Sequence, residues 1–230
     1  MQQSESNITG FSFSSMTLIV TSGPTREWLD PVRFLTNASS GKTGFEIASA
    51  GVKRFQKVIY IAGQCEERYR SVNDAMVIHV DTTADMAKAV QSSLCENSLL
   101  IMAAAPADFT PATPADQKIK KQPNETTKTI ELKPTIDILK FVGQNPPLKS
   151  IRVGFAAETE NLKQNALKKL QSKNIHFICA NQVFKTKDGF GEVQNTLHLL
   201  DQKGGETLIG PFTKDKLAKA LLDELENRLR

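Results

Sequence analysis

Sulfur and large aromatics are scarce in this 230-residue chain, which has three cysteines, one tryptophan and two tyrosines. Cys65, Cys95 and Cys179 are far apart, odd in number and form no C-x-x-C pair. That argues against a disulfide framework and for reduced thiols in a cytosol. No apolar run approaches about 18 residues, so nothing in the sequence reads as membrane-spanning. The opening MQQSESNITGFSFSS lacks a basic start and an apolar core, which excludes a signal peptide. Residues 1–15 read as a disordered leader, with Met16 an alternative start just before the first strand, and residues 16–230 as one domain. Net charge is only +4 and the pI is near 8.9. A mild lysine excess suits an anionic ligand, and with so few aromatics it does not make a nucleic-acid footprint.

Motifs for covalent or metal chemistry are missing too. There is no G-x-S-x-G and no H-E-x-x-H, and His79, His176 and His198 lie in or beside apolar runs, too far apart for a ligand set. Each reads as a packed or edge histidine, and no protein metal site is expected. Catalysis here would work by holding anions and reactants together. A P-loop ends in Gly41-Lys42-Thr43, but the glycine required five positions earlier is Thr36, which cannot supply the same backbone turn. G-x-G-x-x-G is likewise absent, because Gly23 stands alone and Gly41 and Gly44 come far downstream. An NAD(P)-dependent oxidoreductase of Rossmann type is therefore the second reading.

What is present is rhythm. Apolar runs at 17–23, 57–63, 75–80, 98–105, 151–157 and 175–181 read as buried strands. Between and after them, 43–55, 82–94 (with Thr83 as N-cap), a stretch from about Glu160 to Ser172, and 214–229 carry helical spacing. Alternation with near-continuous apolar strands predicts an α/β fold: a doubly wound, Rossmann-like parallel sheet covered on both faces. Two segments break the pattern. Residues 106–133 are rich in Pro, Lys and Thr and read as a flap insertion; 196–210 reads as a hairpin turning near Gly204–Gly205, a small β extension.

Ligands of such sheets gather beyond the carboxyl ends of the strands, at the switch point. The loop after the first strand runs about twenty residues and carries Arg26, Asp30, Arg33, Asn37, Ser39, Ser40 and Lys42. Loops this long inside a domain are usually functional, and the helix that follows presents free N–H groups suited to phosphate. Ser39 and Ser40 could equally serve only as caps. Lys118, Lys120 and Lys121 lie in the insertion within about ten residues of Asp108, as a flap over a polyphosphate or as a solvated edge. On a helical wheel Lys169 and Lys173 fall at the edge of the Leu162–Ala166–Leu170 stripe. There they either snorkel or aim at phosphates.

Five ordered stretches, DPVRFLTNASSGKTG, AAAPADF, KIKK, VGFAAET and ICAN, resemble the phosphopantothenate–cysteine ligase family, in particular the ligase half of the fused bacterial coenzyme A biosynthesis enzyme. The resemblance runs from about Met16 to the C-terminus, and without the decarboxylase half the chain resembles a stand-alone ligase. It implies joining of 4'-phosphopantothenate to L-cysteine in the cytoplasm through an acyl nucleotidylate, with CTP as co-substrate (ATP is the alternative), Mg2+ on the phosphates, and a homodimer. By the same resemblance Asn37 holds the acyl intermediate and Arg33 assists the second step. Lys118 opens the flap, and Ala105 and Asp108 face cytosine and ribose. Phe155, Lys169 and Lys173 contact the nucleotide, and Asn181 sits at the rim with Ser39, Ser40, Gly41 and Lys42 on the phosphate side. Residues 106–133 and 182–212 are the expected dimer contacts. Pro24 stands where the family usually has glycine and removes an N–H at that turn.

Overall fold

The computed structural model describes residues 10–123, 125–158, 161–182 and 194–230. Residues 1–9 of the expected leader, Glu160 of the expected helix start and residues 183–193 of the expected dimer contact 182–212 lie outside that set. In chain order the elements are β1 (Thr17–Ser22), β2 (Arg26–Trp28), β3 (Phe34–Thr36), α1 (Lys42–Gly51), β4 (Lys57–Ala62), β5 (Met76–His79), α2 (Thr83–Ser93), β6 (Ser98–Met102), β7 (Phe109–Pro111), β8 (Leu132–Pro134), α3 (Ile138–Gln144), β9 (Ile151–Glu158), α4 (Leu162–Ser172), β10 (Phe177–Gln182), β11 (Asn195–Asp201), β12 (Glu206–Phe212) and α5 (Lys214–Leu229).

Eight strands form one sheet in the order β12-β11-β10-β9-β6-β1-β4-β5. The six from β10 to β5 run parallel. β11 and β12 add an antiparallel hairpin at one edge, turning through Gly204–Gly205. The fold is the expected doubly wound α/β arrangement. Its interior strands are uniformly apolar because both faces are covered: Leu18, Ile19 and Val20 are all fully buried. One face packs β-strand residues against α1 and α5, with Ile47, Leu217, Leu221 and Leu225 in the same cluster. The other packs against α2, α3 and α4 through Met86, Val90, Leu139, Leu170 and Ile175. Each fully buried aliphatic side chain contributes about 1.5–3 kcal/mol, so the two clusters set the strand order that positions the loops.

The expected leader is corrected at its near end. Phe13 is 2% exposed and stacks on Phe55 with ring centroids 4.1 Å apart. Gly10 and Phe11 donate backbone N–H bonds to the carbonyls of Arg230 and Leu229, which ties residues 10–15 to the end of α5. The polar composition of this stretch concealed two phenylalanines with an apolar surface to cover. Helix α1 stops at Gly51 rather than 55. A Cβ on Gly51 would lie 2.3 Å from Leu18 Cδ2, and the following residues turn inward to seat Phe55. Thr82, not Thr83, caps α2: its hydroxyl accepts from Asp85 N while the Asp85 carboxylate accepts from Thr82 N, a reciprocal capping box.

The amino ends of β9 and β10 hold a buried polar cluster. The N–H of Arg152 donates to His176 Nδ1 at 3.1 Å, and the Arg152 guanidinium donates to the carbonyls of Asn174 and Ser150. Burial, reinforced by the neighbouring Arg152 charge, pulls His176 down to about 4 from its ordinary 6.5. The folded state thus disfavours the imidazolium, so the stability this neutral histidine contributes is intact above pH 6.5 and is lost as pH falls toward 4. Between pH 7 and 5 that loss is about 2 kcal/mol. Urea titrations at the two pH values should show it. His176→Asn, whose side-chain oxygen can still accept the Arg152 N–H, should lack that part of the pH dependence.

Candidate functional site

The chain passes from β1 outward to β4 and β5, then returns across β1 to β6. The switch point is therefore the gap between the carboxyl ends of β1 and β6. Gly23–Pro24 and Ala103–Ala105 leave the sheet there. Ala105 N donates to Gly23 O at 2.9 Å, and Pro24 and Ala105 form a parallel bridge. The run expected to stay in strand through 105 leaves the sheet after Met102, because these alanines close the cleft floor instead. Pro24 has no N–H to offer, yet its carbonyl is used, accepting from Gln64 N at 2.7 Å.

The long first loop is not irregular throughout. β2 and β3 pair as an antiparallel ribbon, which the sequence reading missed. It is pinned to the body by Trp28 Nε1, which donates to Asp81 Oδ2 at 2.6 Å, and by Thr83 N, which donates to the buried Glu27 carboxylate at 2.8 Å. A buried hydroxyl network ties the loops together. Thr25 Oγ1 and Thr83 Oγ1 share a hydrogen bond of 2.8 Å, and Ala107 N donates to Thr25 Oγ1 at 3.0 Å. Thr83 and Thr135 hydroxyls both donate to Ala107 O. Thr83 is thus a loop anchor and not a cap. Satisfied polar groups in a low-dielectric interior hold one geometry, because each broken bond would leave a buried group unpaired.

Upon this frame some of the expected site residues come together in two groups. Asn37 Nδ2 donates to Ala105 O at 3.2 Å and to Pro106 O at 3.0 Å, across 68 and 69 residues of sequence. Arg33 reaches the insertion, donating through Nη2 to Ile119 O at 2.7 Å, next to Lys118. Both contacts start in the first loop and end on the segment after β6. The second group is centred on α3. Lys173 Nζ pairs with Asp137 Oδ2 at 3.0 Å. Asp137 caps α3 through Lys140 N, and Thr135, two residues before it, donates its N–H to Asp108 O. Lys173 therefore begins just before β10 but places its ammonium at the start of α3, on Asp137. Thr135 and Asp137 were missed in the sequence because this segment carried no helical signal. Lys169 is half-buried in the last turn of α4.

Phe155 and Asn181 lie on β9 and β10, both partly exposed. The Phe155 side chain packs on the α1–α5 face, opposite the face that holds α4. Ser39 and Ser40 precede α1, where Ser40 Oγ accepts from Lys42 N at 3.3 Å and Ser40 O accepts from Glu66 N at 3.0 Å. Gly41 is the N-cap, at φ 84, a conformation that glycine adopts without penalty. Its carbonyl accepts from Ser22 Oγ at 2.7 Å. A thiol the sequence reading left aside, Cys65, touches this corner, and burial raises its pKa.

The insertion expected as a flap is a β7–β8 ribbon whose long connection carries the lysines. Lys118, Lys120 and Lys121 are exposed. Among the described residues no group of three or more His, Cys, Asp or Glu is arranged to hold a metal ion. Among them too, no helix is long and apolar enough to cross a membrane. Cys65, Cys95 and Cys179 are all free thiols.

Fold and site together define an α/β protein of the doubly wound class with a cation-bearing loop cluster at its switch point. The chain belongs to the family described as the DNA/pantothenate metabolism flavoprotein C-terminal domain, whose model matches residues 13–229. It is 40% identical over 209 residues to the coenzyme A biosynthesis bifunctional protein CoaBC of Bacillus subtilis, covering 90% of this chain and 50% of that protein. Against the Escherichia coli protein of the same name it is 39% identical, covering 93% of this chain and 52% of that protein. The chain thus spans about half the length of these curated relatives. The crystal structure of the C-terminal domain of a CoaBC protein superposes with a TM-score of 0.76 at 31% identity, covering 97% of this chain and 98% of that one.

Proposed function

We propose that this chain is a phosphopantothenate–cysteine ligase of coenzyme A biosynthesis, joining 4'-phosphopantothenate to L-cysteine at the expense of a nucleoside triphosphate. In the first step a carboxylate oxygen attacks the α-phosphorus, the bond to the β-phosphate oxygen breaks, and pyrophosphate leaves. In the second the cysteine amine attacks the acyl carbon, the acyl–oxygen bond breaks, the nucleoside monophosphate leaves, and the nitrogen loses a proton. No protein nucleophile is required, because the activated group is on the substrate.

The observation that carries this reading is the pair of hydrogen bonds that Asn37 Nδ2 donates to Ala105 O and Pro106 O at the switch point. It fixes an amide between the loop that precedes α1 and the loop expected to face the base. Two anions must meet in the first step, so cations count most there. Lys118, Lys169 and Lys173 would screen the triphosphate, entering as its Mg2+ complex, while Ser39, Ser40, Gly41 and Lys42 hold phosphate at the start of α1. Ala105 and Asp108 would take base and ribose, Phe155 would contact the nucleotide, Asn181 would line the rim, and Arg33 would assist the second step. CTP is the proposed co-substrate over ATP, since loop carbonyls and amides can read a cytosine edge. The chain would act as a cytoplasmic homodimer. Phe109 and Leu132 on the β7–β8 ribbon are 52% and 42% exposed, and Leu208 on the edge strand β12 is 60% exposed. These are apolar surfaces of the kind a second copy covers. The absent G-x-G-x-x-G disfavours the oxidoreductase alternative.

The test is a coupled pyrophosphate assay with CTP, ATP and each substrate omitted in turn. Pyrophosphate release should require phosphopantothenate and run fastest with CTP, and nucleoside monophosphate should follow only when cysteine is added. Release that ignores phosphopantothenate, or no release with either nucleotide, would overturn the assignment.

A further inference from the structure

Asp30, in the long loop, has a fully buried side chain. Its two oxygens have separate duties. Oδ1 accepts the N–H groups of Val32 and Arg33, each at 2.9 Å, which shapes the turn 30–33. Oδ2 accepts Arg33 Nε at 3.0 Å and Arg33 Nη2 at 2.5 Å, and also Ile119 N at 3.0 Å, from 89 residues away. Arg33 Nη2 donates in turn to Ile119 O at 2.7 Å. The ion pair therefore offers one residue of the insertion both an acceptor and a donor, as a neighbouring strand would. A second clip lies four residues earlier, where Ala115 N donates to Leu29 O at 2.9 Å. Ile119 sits between Lys118 and Lys120, so this clamp sets where the flap lysines emerge.

The geometry points to Asp30 as a positioning residue for the ligase reaction: its buried carboxylate latches the flap, through Ile119, to Arg33. The inference rests on the ligase reading given above. The latch couples two groups that serve different steps, because Lys118 cannot leave its place without giving up two of the hydrogen bonds that orient Arg33's neighbourhood. Charge-assisted bonds of this kind are stronger than neutral ones and hold direction as well as distance. The ordinary alternative is that Asp30 only shapes its own turn, and the division of labour between its oxygens separates the two. In Asp30→Asn an amide oxygen can replace Oδ1 and keep the turn. The amide nitrogen then faces three donors and cannot hold Arg33 or Ile119.

Asp30→Asn should retain the wild-type circular dichroism spectrum. Trypsin should cleave it after Lys118, Lys120 or Lys121 about tenfold faster than the unaltered protein, since cleavage follows local opening. In the pyrophosphate assay kcat should fall about tenfold or more with little change in KM for cysteine. Adding Arg33→Gln to Asp30→Asn should cost much less than the product of the two single effects, since both break one latch. If Asp30→Asn is poorly folded, Ile119→Pro removes the same N–H while sparing the Asp30–Arg33 pair, and should speed cleavage after Lys120 or Lys121 (the Lys118–Pro bond itself resists trypsin) and lower kcat in the same way. Wild-type cleavage and kcat in the folded variant, or fully multiplicative effects with Arg33→Gln, would overturn the latch. If the unaltered protein releases no pyrophosphate, the ligase reading fails, and the latch is then judged by the cleavage rate alone.

Discussion

Asn37→Asp should leave pyrophosphate release measurable while product amide falls by about 10²-fold or more, the usual cost of losing one directed donor at a reacting centre. Asn37 is exposed and holds no buried partner, so the fold should survive. Its amide nitrogen donates to two carbonyl oxygens at once, those of Ala105 and Pro106. A carboxylate there has no proton to give and would face both oxygens with a negative charge. It would turn away, leaving the proposed acyl nucleotidylate without the clamp proposed for it. The first step, proposed to rest mainly on the lysines, should persist. Single-turnover measurement of pyrophosphate without cysteine, followed by product with cysteine, separates the two. Full product at the normal rate would remove Asn37 from the role proposed for it.

Gly44→Ala should lower the melting temperature by roughly 5–10 °C, from about 2–3 kcal/mol of overpacking in a chain of this size, and weaken nucleotide binding with it. Helix α1 meets β1 at this residue. A Cβ on Gly44 would lie 2.6 Å from Ser22 Cβ and Oγ and 2.8 Å from Thr21 O. The last of these is backbone in a central strand and cannot swing aside. The helix start would have to lift, breaking the bond from Ser22 Oγ to Gly41 O that seats the turn proposed to hold phosphate. Thermal melts with and without CTP would read both effects. A variant with unchanged stability and an unchanged CTP-induced shift would show that this contact has more slack than the distances imply.

The elements most legible in the sequence were those whose burial is periodic. The amphipathic helix read at 214–229 is α5, Lys214–Leu229, and its buried leucines fall where the 3.6-residue period puts them. The six apolar runs became six parallel strands, with ends shifted by a few residues where the chain leaves the sheet. Three kinds of feature were not legible. The ribbons β2–β3 and β7–β8 are three residues per strand, too short to show an alternation. Helix α3 is seven residues long and lies in a segment where Pro and Lys obscure the pattern. Phe13 lies in a polar stretch, and its burial depends on Phe55, 42 residues on, standing opposite it.

Read by itself, the chain decided that it would build a doubly wound sheet, because long apolar strands must be covered on both faces and the helices between them supply the cover. It also marked the loop after the first strand as the candidate for the chemistry proposed here, since Arg33, Asn37, Ser39, Ser40, Gly41 and Lys42 are crowded there. Only the tertiary structure decided which of these groups meet. The bonds from Asn37 to the Ala105 and Pro106 carbonyls, from Asp30 to Ile119 N and from Lys173 to Asp137 span 36 to 89 residues of sequence. A hydrogen bond of that kind leaves no periodic trace in the chain, because it joins single groups that strand order alone brings within 3 Å or so of each other.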